Sequence, residues 1–510
     1  MQLYLEGLSL LTPMVLLFML LGTLVGITIG ALPGLTAMMA VSILVPMTYG
    51  LNPTCGILML LGVYCGANYG GSISATLINI PGTPSAVMTT LDAYPLAKQG
   101  KAGLAIGMAT MSSALGGLFG VITLTFLSPV IAEVALKFTS LEMFAVAIFG
   151  ISIIAYISPG STLKGLISGV FGLMVGTMGF DPINGVARFT FGSMYLFSGI
   201  QFTAAMIGLF GLSEVLISCE KKFDPNVKPD FYEVKNPFEC FRYLKELAGN
   251  IIRSSISGTI VGAIPGAGGT IASIVAYAQQ MKMTKNPELM GKGSLEGIAA
   301  AEAANNACCG GAMTTLLSLG IPGDAVTAIL IGAFVVHGLR PGPMLFQTNF
   351  DLVSAIFIGM AIINVLILVI GLCCAKYVAR LLLIPKPIMN TVILILCVVG
   401  TFGIQGGMFD VYVMVFFAIL GYLMSKFSFP RAPIVLALIL GPLMEENLRR
   451  WLSIHEGDAF ASLFRTFSTN PISAVIFIVT ILSLVMPLFR KKKGKFTEEG
   501  IKEITEEVNG

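Results

Sequence analysis

Long apolar segments with almost no charged residues follow one another along nearly the whole chain. The first, Leu8–Ile29, is long enough to cross a bilayer, since a helical crossing takes about 20 residues. The runs are continuous and do not alternate with polar positions, which argues against a β-barrel. Several runs are too short for a full crossing and suit half-helices or re-entrant hairpins, among them Leu35–Tyr49, Ala325–Val336 and Ala432–Leu443. The pattern predicts an all-α polytopic membrane protein with about 10–13 transmembrane helices plus re-entrant hairpins.

One long polar segment, Glu220–Asn250, interrupts the apolar blocks. It carries three prolines and six lysines and arginines, and the positive-inside rule places it on the cytoplasmic side. The basic run Arg490–Lys493 places the C-terminal tail on the same side. We therefore expect a first membrane repeat over 1–219, a cytoplasmic linker over 220–250, a second membrane repeat over 251–471, a terminal transmembrane helix over 472–489 and a cytoplasmic tail over 490–510.

Both halves carry the same pair of Pro-Gly breaks within apolar sequence. The segment Gly30–Gly34 (Gly-Ala-Leu-Pro-Gly) corresponds to Gly262–Gly266 (Gly-Ala-Ile-Pro-Gly). Further along, Gly70–Gly82 ends in Ile-Pro-Gly, as does Gly310–Gly323. This pattern is typical of two inverted-topology repeats. Because such repeats contain an odd number of crossings, one helix outside them is needed to place the linker and the tail on one side.

The composition narrows the classes of function. Apolar residues make up 55% of the chain and charged residues 11%, against about 25% charged residues in ordinary soluble domains. This excludes a soluble enzyme and a nucleic-acid-binding protein. No nucleophile elbow, H-E-x-x-H or Walker A motif is present, so we expect no enzymatic activity. Two histidines, and nine cysteines without C-x-x-C spacing, argue against a metal cage, and we expect no cofactor.

The Pro-Gly breaks are the predicted substrate site. Proline and glycine unwind a helix, and the freed backbone groups are tolerated in a membrane only where they line a polar cavity or are buried in protein. The N-termini of the resulting half-helices direct a positive dipole end toward an anion such as a carboxylate. For Asp324 a second interpretation stays open, as the N-cap of the next half-helix. The predicted substrate-binding residues are Pro33, Gly34, Leu35, Thr36, Asn79, Pro81, Gly82, Thr83, Pro84, Pro265, Gly266, Ala267, Gly268, Gly269, Pro322, Gly323 and Asp324.

A second set of polar residues is predicted to bind the coupling cation, Na⁺ or H⁺. Glu302 lies in an apolar helix of small residues, and carboxylates inside a membrane are costly and usually functional. Asn305 and Asn306 follow at i+3 and i+4, on the same helix face. Close helix packing stays the alternative for the serines and threonines, and a solvated helix end for Glu302. The predicted set is Asn68, Ser72, Ser74, Glu302, Asn305, Asn306 and Thr314.

These motifs resemble the large membrane subunit of tripartite tricarboxylate transporters, the TctA family. The similarity covers Leu8–Leu488 and rests on these segments: Gly30–Thr36, Tyr69–Ser74, Asn79–Pro84, Leu91–Ala97, Ala263–Gly268, Glu302–Asn306 and Gly320–Gly323. The resemblance implies a secondary transporter of the bacterial inner membrane that imports carboxylates such as citrate, driven by Na⁺ or H⁺. It also implies two partners, a small membrane subunit and an extracytoplasmic solute-binding protein. An elevator-like movement of the inverted repeats is expected, and self-association is left open.

Two other functions stay open at this point. A passive channel or pore-forming subunit for small anions would line its filter with the same breaks. A membrane-embedded scaffold for partner proteins would tolerate bulky residues at the Pro-Gly tips. Accumulation of substrate against its gradient excludes the channel.

Overall fold

The computed structural model describes residues 2–157, 162–181, 183–220, 232–381, 386–455, 458, 462–463, 466–467 and 471–489. Residues 221–231 of the predicted linker and the predicted tail over 490–510 lie outside them. Within the described residues the chain is almost entirely helical, and two short strands, β1 (Gly179–Phe180) and β2 (Ala187–Arg188), pair antiparallel. The prediction of an all-α polytopic membrane protein is confirmed.

The helices before the linker are α1 (Gln2–Ser9), α2 (Pro13–Ala31), α3 (Ala37–Leu44), α4 (Pro53–Ile78), α5 (Val87–Leu96), α6 (Ala102–Ala135), α7 (Ser140–Ile157), α8 (Thr162–Gly176), α9 (Phe202–Met206) and α10 (Ser213–Glu220). Those after it are α11 (Leu244–Ala263), α12 (Gly268–Met283), α13 (Leu295–Leu319), α14 (Ala325–Val336), α15 (Leu345–Thr348), α16 (Phe350–Leu381), α17 (Lys386–Gln405), α18 (Met408–Lys426), α19 (Ala432–Ile454) and α20 (Pro471–Phe489). A π-helical segment, Ile207–Leu212, joins α9 to α10.

Six helical segments among the described residues are long and apolar enough to cross a membrane. They are Pro13–Ala31, Pro53–Ile78, Pro84–Ala135, Phe202–Glu220, Phe350–Val378 and Met408–Lys426. Shorter apolar helices of 10–17 residues, including Ala37–Thr48 and Ala325–Val336, stand where the sequence predicts half-spans. The long spans are fewer than the number expected from the apolar runs, because several runs form these short helices.

The chain divides into two compact units, each of which takes segments from both predicted repeats. The first unit comprises Met1–Ala132 and Glu214–Gly400, and the second comprises Glu133–Ser213 and the described residues after Gly400. Compact packing and repeat boundaries are different properties of a chain, so the division into repeats stays a prediction.

The helices α4 and α13 form the buried centre of the first unit. Nearly every residue of both is buried, and both are rich in glycine, alanine, serine and threonine, which lets neighbouring helices approach closely. α2 packs along α4, and α11 packs along α13. Each central helix starts at a side-chain cap: Asn52 accepts a hydrogen bond from the Thr54 N–H at 2.9 Å, and Ser294 accepts one from the Gly297 N–H at 3.3 Å.

The second unit packs α19 against α7 and α8. The segment between α8 and α9 holds the β1–β2 hairpin. Two ion pairs fasten this hairpin to α19, Arg188 to Glu445 and Arg449 to Asp181, each at 2.8 Å. α20 covers the predicted terminal helix and packs on α7.

Candidate functional site

The first Pro-Gly break lies between α2 and α3. Leu32 follows the end of α2 in an extended conformation, with φ −85° and ψ 115°. Gly34 has φ +95°, a left-handed conformation that glycine adopts without steric cost. Thr36 caps α3, since its Oγ1 accepts a hydrogen bond from the Met39 N–H at 3.2 Å. The break is therefore a non-helical turn that leads into the N-terminus of a short helix.

The second break, between α11 and α12, has the same geometry. Ile264 is extended, with φ −85° and ψ 116°, and Gly266 has φ +82°. The Gly266 N–H donates a hydrogen bond to the Gly323 carbonyl at 2.7 Å. α12 begins two residues later at Gly268, which also has positive φ. The predicted segment Pro265–Gly269 therefore forms a turn into a helix N-terminus.

Each break is packed against the other Pro-Gly tip of its own half. A Cβ atom on Gly82 would lie 2.0 Å from the carbonyl oxygen of Gly30. In the second half, a Cβ on Gly323 would lie 2.3 Å from the carbonyl oxygen of Gly262. The four predicted segments therefore form two tightly packed pairs within the first unit.

Asp324 is the N-cap of α14. Its Oδ1 accepts a hydrogen bond from the Thr327 N–H at 2.7 Å, and the Asp324 N–H donates to Thr327 Oγ1 at 2.9 Å, so the N-cap interpretation is correct. Its Oδ2 accepts a hydrogen bond from the buried Tyr64 hydroxyl at 2.6 Å. The carboxylate thus links the two halves of the first unit as well as capping a helix.

The two central helices meet through Asn68 and Cys309. Asn68 Nδ2 donates to Cys309 Sγ at 3.1 Å, and Asn305 Nδ2 donates to the Asn68 carbonyl at 3.3 Å. Ser85 Oγ donates to Asn68 Oδ1 at 3.3 Å and lies 3.0 Å from Thr83 Oγ1. The structure therefore brings together predicted residues of both sets, around one buried asparagine.

The helices that cross here run in opposite directions. The segment after α4 reaches the start of α13, where Asp92 accepts hydrogen bonds from the N–H groups of Gly293 and Ser294 at 3.1 and 2.7 Å. The segment after α13 reaches the residues just before α4, where His337 Nε2 lies 3.2 Å from Thr48 Oγ1. The end of each central helix thus lies near the start of the other, and α4 and α13 are therefore antiparallel.

The crossing residues are counterparts of each other in the two halves. Asn68 lies 241 positions before Cys309, the same separation as that between Gly82 and Gly323. A residue that contacts its own counterpart lies close to a local two-fold axis. The packing also makes Gly70 the counterpart of Gly311: a Cβ on Gly70 would lie 2.3 Å from the Ile27 carbonyl oxygen, and one on Gly311 would lie 2.1 Å from the Thr259 carbonyl oxygen. A direct alignment of the two Gly-Gly pairs would instead match Gly70 with Gly310, one residue earlier.

Two adjacent asparagines on α13 have buried polar atoms without partners. Among the described residues, Asn305 Oδ1 and both polar side-chain atoms of Asn306 have no hydrogen-bond partner. A buried amide left unpaired is destabilising by about 1–3 kcal/mol, so such atoms need an explanation. Asn305 Oδ1 lies at the start of α12, 2.6 Å from where a Cβ on Gly269 would be. An amide oxygen in this position can serve as a ligand for a small cation.

Glu302 is fully buried one turn before these asparagines. Its Oε2 accepts a hydrogen bond from Ser113 Oγ at 2.8 Å, and its Oε1 accepts one from Thr89 Oγ1. The solvated-helix-end interpretation is therefore wrong, because the carboxylate lies between α5, α6 and α13. Asn305 shares neither of these hydroxyl partners, since its Nδ2 donates to the Asn68 carbonyl.

The other predicted coupling residues use their hydroxyls within their own helices. Ser72 Oγ donates to the Tyr69 carbonyl at 2.7 Å, Ser74 Oγ to that of Gly71 at 3.3 Å, and Thr314 Oγ1 to that of Gly310 at 2.8 Å. Asn79 ends α4 in a left-handed conformation, with φ +55°. Side-chain to backbone bonds of this kind are common for hydroxyls in helices.

The structure adds residues that sequence reasoning did not single out. Asp92 is fully buried and accepts a hydrogen bond from the Tyr277 hydroxyl at 2.8 Å, in addition to the two N–H groups at the start of α13. It therefore fixes the N-terminus of the helix that carries Glu302. A lone aspartate in apolar sequence is the signal that could have found it. Tyr64 gave no such signal, since it lies in a uniformly apolar run.

The chain is similar to known proteins over nearly its whole length. No solved structure matches it. Over 493 residues, 96% of this chain and 97% of the relative, it is 36% identical to the "uncharacterized 52.8 kDa protein in TAR-I ttuC' 3'region" of Agrobacterium vitis. It is also 35% identical to the "uncharacterized protein in TAR-II ttuC' 3'region" of the same organism. That match extends over 246 residues, which are 48% of this chain and 100% of the relative.

One family profile spans both halves of the candidate site. It matches residues 16–436, which include both helix breaks, both central helices and Asp324. The chain therefore belongs to the tripartite tricarboxylate transporter TctA family.

Proposed function

We propose that this chain carries carboxylates such as citrate into the cell, coupled to Na⁺ or H⁺, with the site between the two helix breaks of the first unit. Membership of the TctA family supports a transport subunit rather than an enzyme. The rest of the proposal depends on two buried asparagines of α13. Asn305 Oδ1, beside the second break, and both polar side-chain atoms of Asn306 have no hydrogen-bond partner among the described residues.

The substrate anion is neutralised in this proposal by backbone groups and the coupling cation. Thr36 and Gly268 stand at the N-termini of α3 and α12, where free N–H groups and the positive end of the helix dipole favour a carboxylate. None of the predicted substrate residues is a lysine or arginine. A cation bound at Asn305 and Asn306 would supply the missing positive charge.

We further propose that the two halves of the first unit form inverted-topology repeats that move in an elevator-like manner. The matching breaks, the antiparallel central helices and the contact of Asn68 with its counterpart Cys309 support the inversion. A local two-fold axis across two antiparallel spans exchanges the two membrane faces. The movement itself rests on the resemblance to ion-coupled carboxylate transporters.

The proposed location is the bacterial inner membrane, with a small membrane subunit and an extracytoplasmic solute-binding protein as partners. Family membership supports a tripartite system. Lys98, Lys101 and Lys292 lie where α5 ends and α13 begins, and Gln99 Nε2 donates to the Lys292 carbonyl at 3.0 Å. The positive-inside rule makes this end cytoplasmic.

Uptake of labelled citrate into proteoliposomes tests the proposal. The reconstituted system contains the chain, its cognate small subunit and its binding protein, and uptake is compared with and without an inward Na⁺ gradient and an inward H⁺ gradient. We expect accumulation above the external concentration that requires one of the gradients. Uptake that only equilibrates would favour a channel, and absence of uptake for a panel of carboxylates would refute the substrate class.

Replacing Asn305 by Ala is expected to raise the cation concentration for half-maximal uptake by about 10- to 100-fold, the effect of losing one hydrogen bond or ligand contact to a charged group. Asn364→Ala is the matched control. Its Nδ2 donates to the Met360 carbonyl at 2.8 Å, and its Oδ1 is likewise buried without a partner among the described residues, but it lies on α16. Equal cation dependence in the two variants would remove Asn305 from the site.

A further inference from the structure

A cavity of about 590 Å³ in the second unit lies outside the transport site described above. It is formed by the residues just before α9 and the first turn of α18. Its walls carry three aromatic rings, an amide and a carboxylate: Tyr195, Phe409, Tyr412, Gln201 and Asp410. The rings of Tyr195 and Phe409 stack with their centroids 5.3 Å apart, which fixes one side of the opening.

Asp410 is the unusual member of this lining. Its side chain is only 6% exposed, and it has no hydrogen-bond or ion-pair partner in the described part of the chain. Its place in the first turn of α18 stabilises a carboxylate, and the residue lines the cavity. A buried carboxylate beside aromatic faces is the combination that binds an ammonium or guanidinium group.

The cavity adjoins an exposed aromatic segment between β2 and α9. Phe191 is 83% exposed and Tyr195 is 70% exposed, and Phe189 and Phe191 both have positive φ, a conformation costly for aromatic residues. Strained, exposed aromatic residues of this kind are concentrated at binding surfaces. The connection from α8 to α9 spans residues 177–201, longer than most connections in compact domains.

Ion pairs hold the β1–β2 hairpin, which immediately precedes this segment, against α19. Arg449 lowers the pKa of Asp181 to about 2 through its hydrogen bond, so the Asp181 carboxylate stays ionised at every physiological pH. Asp181 Oδ1 also accepts hydrogen bonds from the N–H groups of Ile183 and Asn184 at 2.8 and 3.2 Å, which closes the hairpin turn. A loop fixed in this way loses less conformational entropy when a partner binds. The charged residues Asp181 and Arg188 at the base of the loop also place the loop in the aqueous zone rather than in the hydrocarbon of the bilayer.

The cavity lies at the extracytoplasmic end of the membrane spans. Phe202–Glu220 is a single candidate span, and the sequence continues from Glu220 into the basic linker, which the positive-inside rule places in the cytoplasm. The cavity residues precede Phe202 and therefore lie on the opposite face. α18 agrees, because it begins at the cavity and ends at Lys426, beside the bond from Lys164 Nζ to the Phe427 carbonyl.

We propose that this cavity is a socket for a lysine or arginine side chain of the extracytoplasmic solute-binding protein, and that the aromatic segment 189–195 is the docking surface around it. The inference rests on the proposed function for the existence of that partner. Charge complementarity identifies the occupant as a cation, because the buried Asp410 carboxylate lines the cavity without a partner among the described residues. The extracytoplasmic position of the cavity identifies the partner as the solute-binding protein, which acts on that side of the membrane.

Binding of the purified solute-binding protein to the intact membrane complex in nanodiscs tests this proposal. We expect Asp410→Asn to weaken binding by about 10- to 100-fold, the effect of losing a buried charged contact. Glu446→Gln is the control: it removes one negative charge at the same end, from a carboxylate paired with Arg450 on the open surface, and should leave the Kd unchanged. Equal Kd values for Asp410→Asn and the wild type would overturn the proposal. Because binding is measured without substrate, a failure of citrate uptake does not affect this test.

A photocrosslinking amino acid at position 195 identifies what occupies the surface. Tyr195 is largely exposed, so this substitution should not disturb folding. We expect a crosslink to a basic segment of the solute-binding protein that disappears when Asp410→Asn is added. Crosslinks only to lipid or only to the small membrane subunit would overturn the proposal.

Discussion

Replacing Glu302 by Gln is expected to lower gradient-driven uptake at least about 100-fold, which corresponds to the roughly 3 kcal/mol lost when one member of a buried charged interaction is removed. Glu302 is the fully buried carboxylate beside Asn305 and Asn306 on α13. Gln cannot carry the proton or the negative charge that a coupling site requires. The two gradients separate the mechanisms: loss of H⁺-driven uptake alone assigns a proton site, and loss of Na⁺-driven uptake assigns a cation ligand.

The substitution should leave the fold intact. Glu302 accepts hydrogen bonds from Ser113 and Thr89; the Gln amide can accept one and donate to the other hydroxyl oxygen. Glu296→Gln is the control on the same helix, at its first turn, where the side chain accepts a hydrogen bond from Gln280. Normal coupled uptake by the Glu302→Gln transporter would remove this carboxylate from the coupling mechanism.

The helix breaks could be predicted from sequence because proline and glycine act locally. α2 ends just before Pro33 and Gly34, and α11 ends with the same turn at Ile264–Gly266. The short apolar run Ala325–Val336 is a helix of the predicted length. The apolar run Ala432–Leu443 is only the first part of a longer helix, because α19 continues to Ile454. Its polar half persists because Glu445 and Arg449 pair along the helix and also bind the β1–β2 hairpin.

The contacts within the candidate site could not be predicted in the same way. Asn68 and Asn305 are 237 positions apart, and no local pattern states that one amide reaches the other's carbonyl. Their meeting depends on the antiparallel crossing of α4 and α13, a property of tertiary packing. Composition also cannot show which polar residues of a buried helix keep a free side-chain atom. Asn305 Oδ1 has no partner among the described residues, whereas the Ser72 hydroxyl donates to a carbonyl of its own helix.

Glycines at the helix contacts explain why α2 packs so closely on α4, and α11 on α13. Gly258 and Gly262 of α11 face the backbone of α13, as Gly26 and Gly30 of α2 face that of α4. Each lets two helix backbones touch, and this is the chief way in which membrane helices gain packing energy. The candidate site sits at the ends of these contacts, so any separation of the helices would displace the breaks themselves.

Gly262→Ala is therefore expected to lower the free energy of unfolding by about 3 kcal/mol or more, at the upper end of the cost of overpacking. The added Cβ would lie 2.2 Å from the Cys308 carbonyl oxygen, a backbone atom that cannot rotate away. Gly249→Ala on the same helix is the control: nothing lies within 4 Å of its Cβ, and helix propensity predicts a gain of about 0.5–1 kcal/mol. Thermal unfolding in detergent, followed by the reactivity of buried cysteines such as Cys308, measures both. If Gly262→Ala unfolds at the wild-type temperature, α11 and α13 are not in backbone contact, and the proposed geometry of the second break is wrong.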